Sequence, residues 1–147
     1  MHSPVLRVAR PTNDLHKVTD FYTRGLDFEV LARFENHAGF DGVIVGRRGC
    51  PWHLEFTHQH GVTVDRAPTT EHLLVLYLPE RDAWCAAVER LEALGAMACE
   101  SENPYWDRQG KTFEDPDGYR IVLQNSSWVD TSPASSAHTD DSPRMTS

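Results

Sequence analysis

Residues 72–95 read HLLVLYLPERDAWCAAVERLEALG, and a change of period inside this stretch decides the fold. His72 to Leu78 is an apolar, β-rich run of strand length. Pro79 interrupts it and stands at the first position of a helix. Glu80 and Asp82 fall in the first turn, where acidic side chains meet the positive end of the helix dipole. Trp84, Val88, Leu91 and Leu94 form an apolar stripe, and Gly95 supplies the C′ residue that ends the helix. Three short strands are expected beyond it: Ala96 to Glu100, Lys111 to Glu114 and Tyr119 to Gln124. The turn Asp115-Pro116-Asp117-Gly118 joins the last two.

The same order stands upstream. Pro4 to Arg10 (PVLRVAR) reads as a strand. A helix follows, with Asn13 as its N-cap and Leu15, Val18, Phe21, Tyr22 and Leu26 at helical spacing. Strand patterns then cover Phe28 to Phe34, Phe40 to Gly46 and Trp52 to Thr57. The chain is therefore βαβββ written twice, an α+β fold. Two equal modules, about 4–61 and 70–125, should pair into a curved mixed sheet around a cavity and make residues 1–125 a single domain. Residues 126–147 are rich in Ser, Thr, Asp and Pro, have little to bury, and are expected to be a disordered tail.

The balance of 22 Asp+Glu against 14 Lys+Arg leaves the 147-residue chain at −8, which argues against a nucleic-acid or anionic-membrane partner. An acidic surface would instead suit a cationic small molecule. Cys50, Cys85 and Cys99 form an odd set without CxxC spacing, so they read as reduced thiols in a cytoplasmic protein. The opening MHSPVLRVAR has no long apolar run, and neither a signal peptide nor a membrane span is expected. No phosphate-loop, dinucleotide or GxSxG pattern is present.

Asn13-Asp14-Leu15 followed by Asp20-Phe21-Tyr22 and Gly25-Leu26 resembles the first-module signature of the vicinal oxygen chelate superfamily. That superfamily includes glyoxalase I, extradiol dioxygenases, and fosfomycin- and bleomycin-resistance proteins. His53-Leu54-Glu55-Phe56 resembles the end of its first module, and Glu114-Asp115-Pro116-Asp117-Gly118-Tyr119 the hairpin before its last strand. Ala9-Arg10-Pro11-Thr12 and Glu102-Asn103-Pro104-Tyr105-Trp106 are similar to an uncharacterised bacterial glyoxalase-like branch. The resemblance implies a small-molecule ligand or substrate and a homodimer. In metal-dependent members the first and last strands of each module each supply one ligand. By position these are Arg7, Glu55, His72 and Val122. Glu55 and His72 suit a divalent metal (Zn, Ni, Fe or Mn), whereas a guanidinium and an isopropyl group offer no lone pair.

Strand alternation sorts the remaining candidates. Leu54 and Phe56 should face the helix-packed core, and His53, Glu55 and Thr57 the cavity. Tyr119, Ile121 and Leu123 should pack inward, leaving Arg120, Val122 and Gln124 toward the cavity. His53 could complete a metal set with Glu55 and His72, while Arg7 could pair with Glu55 or clamp a ligand carboxylate or phosphate. Trp52, Tyr105 and Trp106 could wall an apolar pocket or simply pack onto the shell. His58 and His60 read as a solvated loop.

Two functions follow. The first is a metal-dependent lyase, isomerase or dioxygenase with a degenerate metal site, its chemistry carried by Glu55, His72 and Arg7. The second is a metal-free, antibiotic-sequestering protein of the bleomycin-resistance type. There His53, Trp52, Tyr105, Trp106, Arg120 and Gln124 would contact the ligand.

Overall fold

A computed structural model describes residues 3–128, and most of the expected tail lies outside them. Two four-stranded mixed sheets share one topology, which is the repeat made visible. The first contains β1 (Leu6–Pro11), β2 (Glu29–His37), β3 (Phe40–Gly46) and β4 (Trp52–Gln59), in the order β1-β4-β3-β2. The second contains β5 (Leu73–Tyr77), β6 (Ala98–Cys99), β7 (Gly110–Glu114) and β8 (Arg120–Gln124), in the order β5-β8-β7-β6. In each module the first strand runs parallel to the last, and the other pairs are antiparallel. That parallel pairing needs a crossover, which the helix supplies.

Helix α1 (Leu15–Asp20) continues as a π-helical turn, Phe21–Gly25. Thr19 and Thr23 donate their hydroxyls to the carbonyls four residues back, at 2.6 and 2.8 Å, a pattern that bends helices. The N-cap is Asp14, not the expected Asn13: Asp14 Oδ1 accepts the Lys17 amide at 3.0 Å. Asn13 is drawn off because its side-chain amide pairs with both backbone groups of Val64, at 2.9 and 2.8 Å.

Helix α2 spans Arg81–Ala93, so Pro79 lies before its N-cap residue, Glu80, rather than inside its first turn. Gly95 ends it at φ +88°, as expected of a C′ residue. The segment expected to be a turn at 103–106 contains a one-turn helix, α3 (Tyr105–Arg108). β4 runs on through Gln59, which places His58 in a strand, its ring against the Thr12 carbonyl at 3.0 Å.

One hydrophobic core serves both modules. Val18, Phe21, Tyr22 and Leu26 meet Leu54 and Phe56 of the first sheet, Val88 and Leu91 of α2, and Phe113, Ile121 and Leu123 of the second sheet. Trp84 belongs to this layer, its indole N–H donating to the Leu123 carbonyl at 2.8 Å. The helix-covered faces of the two sheets thus turn toward each other.

Candidate functional site

The cluster nearest to the expected chemistry lies on β1 and β4. Parallel register sets Arg7 beside His53 and Ala9 beside Glu55. Arg7 Nε donates to His53 Nε2 at 2.9 Å, and Nη1 reaches Glu55 Oε2 at 3.5 Å. Arg7 therefore takes both groups that a metal would need, occupying the imidazole lone pair and neutralising the carboxylate. His72 stands just before β5, exposed, its ring edge-on to Tyr119 at 6.2 Å. Among the described residues no three His, Cys, Asp or Glu side chains are grouped to hold a metal ion. As arranged, the donor set does not fit the divalent ion that the superfamily's metal-dependent members use.

The second module buries Arg120, Gln124 and Trp106. Arg120 donates Nε and Nη2 to Glu114 Oε2, each at 3.2 Å, and Nη1 to the Glu100 carbonyl at 3.0 Å. Gln124 and Trp106 are 1% and 3% exposed, because α3 lies against β7 and sends Trp106 inward. Ser101 and Thr112 hydrogen-bond to each other nearby, and Tyr105 meets Trp106 edge to face at 4.9 Å. Tyr105 and Trp106 thus pack onto the shell.

A cavity of about 690 Å³ opens elsewhere. Its walls are Leu6 and Val8 of β1, Trp52 and Leu54 of β4, Leu74 and Leu76 of β5, and Ile121 and Leu123 of β8. Tyr22, Leu26 and Phe28 close one side, and Ala83, Ala86 and Ala87 of α2 another. The alternation expected along β4 and β8 is present, but the cavity lies on the opposite side from the one anticipated. Leu54, Ile121 and Leu123 line it, while Arg120 and Gln124 are not among its lining residues. The helix-bearing faces of the two modules face each other, and the alanines of α2 fill too little of the space between β1 and β5. Of the expected site residues, Trp52 and His53 border this cavity.

Its polar lining comes mainly from residues that strand alternation did not single out. Arg47 pairs with Asp27 at 3.5 Å, and Arg90 Nε donates to the Gly25 carbonyl at 3.2 Å. Arg90 falls on the α2 face that carries Ala83, Ala86 and Ala87, a spacing visible in the sequence once the cavity side is known.

A buried polar cluster joins the modules beside the cavity. Asp115 Oδ2 accepts the Tyr22 hydroxyl at 2.7 Å, and Oδ1 accepts the Asp117 and Tyr119 amides at 2.8 and 3.0 Å. The Arg10 guanidinium lies 3.9 Å from the Tyr119 ring centroid and 4.0 Å from Asp115 Oδ2. Burial pushes the Asp115 carboxyl up despite these donors, and burial together with the Asp115 charge pushes Tyr22 well up. The turn motif announces Asp115 and the amides of its own turn, but Tyr22 and Arg10 come from the other module and no local pattern announces them.

Paired βαβββ modules with this strand order, around an apolar cavity, define a glyoxalase-like protein of the vicinal oxygen chelate superfamily. The YycE-like N-terminal domain family matches residues 6–57, and the YycE-like C-terminal domain family matches residues 71–125. The uncharacterised protein YycE of Bacillus subtilis is 41% identical over 124 residues, covering 84% of this chain and 89% of its own length. The chain belongs to the YycE-like family.

The crystal structure of a Bacillus subtilis YycE protein of unknown function superposes with a TM-score of 0.79 at 41% identity, over 84% of this chain and 90% of that one. Trypanothione-dependent glyoxalase I of Leishmania major gives 0.67 at 21% identity, over 85% and 88%. TnmS3, an antibiotic-binding protein from a Streptomyces species, gives 0.58 at 24% identity, over 84% and 95%. The last two show the fold alone. No helix among the described residues is long and apolar enough to cross a membrane.

Proposed function

We propose that this protein binds an apolar small molecule in the cavity between its modules and does so without a resident metal. The observation that carries this reading is the cavity itself: about 690 Å³, walled by Leu, Val, Ile, Phe and Trp side chains, a size and lining suited to a ligand. The Arg7 contacts to Glu55 and His53 support the metal-free half. The antibiotic-binding neighbour lends the fold a precedent for binding. Residues 1–125 are the binding unit. The three free cysteines suit a reducing cytoplasm, and the chain would act as a homodimer.

Metal analysis of untagged protein, paired with a thermal-shift screen of apolar compounds, tests this. The expected outcome is no stoichiometric metal and stabilisation by some of the apolar set. A full equivalent of Zn, Ni, Fe or Mn that Glu55→Ala removes would favour the metal-dependent lyase, isomerase or dioxygenase instead.

A further inference from the structure

We infer that the cavity selects an amphipathic anion, a carboxylate carried on an apolar body, an inference that rests on the cavity being the binding site. A few charged side chains stand in an otherwise largely apolar lining. The charged groups lining the cavity are Arg47, Arg90 and Asp27, and their contacts fall on Gly25, the last residue of the π-helical turn, and on Asp27 just after it. Arg90 holds the Gly25 carbonyl through Nε, and Arg47 holds the Asp27 carboxylate two residues on.

Arg90 is half-buried. Its terminal amino groups have no carboxylate within ion-pair distance among the described residues. A guanidinium anchored through Nε and open at its outer edge presents the fork that a carboxylate accepts in bidentate fashion. The Arg47–Asp27 pair is 48% and 68% exposed at its two side chains, so an incoming carboxylate can replace Asp27 without opening a buried ion pair. Two arginines against one aspartate make this end of the cavity positive within a chain of net charge −8. The net charge favours a cationic ligand in solution, but the cavity lining repels its charged group.

The test is calorimetric titration of the full chain with octanoate, octanol and octyltrimethylammonium, which share one apolar body and differ in head charge. Octanoate is expected to bind about tenfold more tightly than octanol, and the cation more weakly than either. Arg90→Met should abolish the preference for octanoate over octanol, and Arg90→Lys should restore much of it. Ala86→Trp, which fills the space, should remove octanoate binding.

Equal affinity for the three compounds, or a preference that survives Arg90→Met, overturns the anion assignment while leaving the cavity as a binding site. If none of the three binds, the cavity reading fails as well. A fall from dimer to monomer in Ala86→Trp, seen by light scattering, would show the space taken by a second copy and would also overturn the inference.

Discussion

Tyr22 reaches across from the first module and places its hydroxyl 2.7 Å from Asp115, where both side chains are out of water. A buried carboxylate that loses a donor keeps its desolvation cost, so Tyr22→Phe should lower unfolding free energy by about 1–2 kcal/mol. Chemical denaturation at neutral pH measures it, and an unchanged midpoint would show the bond contributes nothing. Burial also sets the pH response. The Asp115 carboxyl titrates above its ordinary 3.8 in the folded chain, with burial the leading cause. Between those two values the folded chain holds a proton that the unfolded chain has released. The associated stability is therefore full below the unfolded value and is lost as pH rises through the folded one. Asp115→Asn cannot titrate, and its profile should be flatter above about pH 4 in urea-unfolding series across pH.

At the scale of elements, the junction between the π-helical turn and α2 shows how one small residue sets a helix contact. A Cβ added at Gly25 would stand 2.6 Å from Leu91 Cδ2 and 3.1 Å from Leu94 Cδ1. Leu91 is fully buried and cannot swing away. Gly25→Ala should therefore cost about 1–3 kcal/mol, by overpacking rather than by any demand on backbone conformation. A stabilised variant in thermal unfolding would contradict this contact.

The elements themselves were largely legible, because strand and helix periods are local properties of the chain. β3 is expected and found at Phe40 to Gly46. The misplacements have tertiary causes. Asn13 ceased to be the cap because Val64, distant in sequence, engaged its amide. Residues 105–108 form a helical turn as Trp106 packs into the second module.

For the molecule as a whole, the cavity represents packing left incomplete between two sheets, and incomplete packing lowers stability. Ala86→Leu extends apolar surface into that space from a helix that tolerates leucine well. It should raise unfolding free energy by about 0.5–2 kcal/mol and weaken octanoate binding at the same time. A gain in stability with unchanged binding would place the ligand elsewhere. The candidate site was less legible than the fold for the same reason that the cavity exists. Arg7, His53 and Glu55 do share a face, as alternation and register require. Of these three only His53 borders the cavity, which lies mainly on the other face of the strands.

Local sequence periodicity determined the βαβββ repeat, the identity of the core-facing residues such as Leu54, Phe56, Ile121 and Leu123, and the hairpin turn at Asp115 to Gly118. Tertiary structure alone decided which side of each sheet meets the other module, and hence that Arg47 and Arg90, rather than Arg120 and Gln124, border the cavity. The physical reason is symmetry in the information. A period of two distinguishes the two faces of a strand but does not specify which face will find a partner. That choice was made by the packing of α1 and α2 between the sheets, through contacts between residues far apart in the chain.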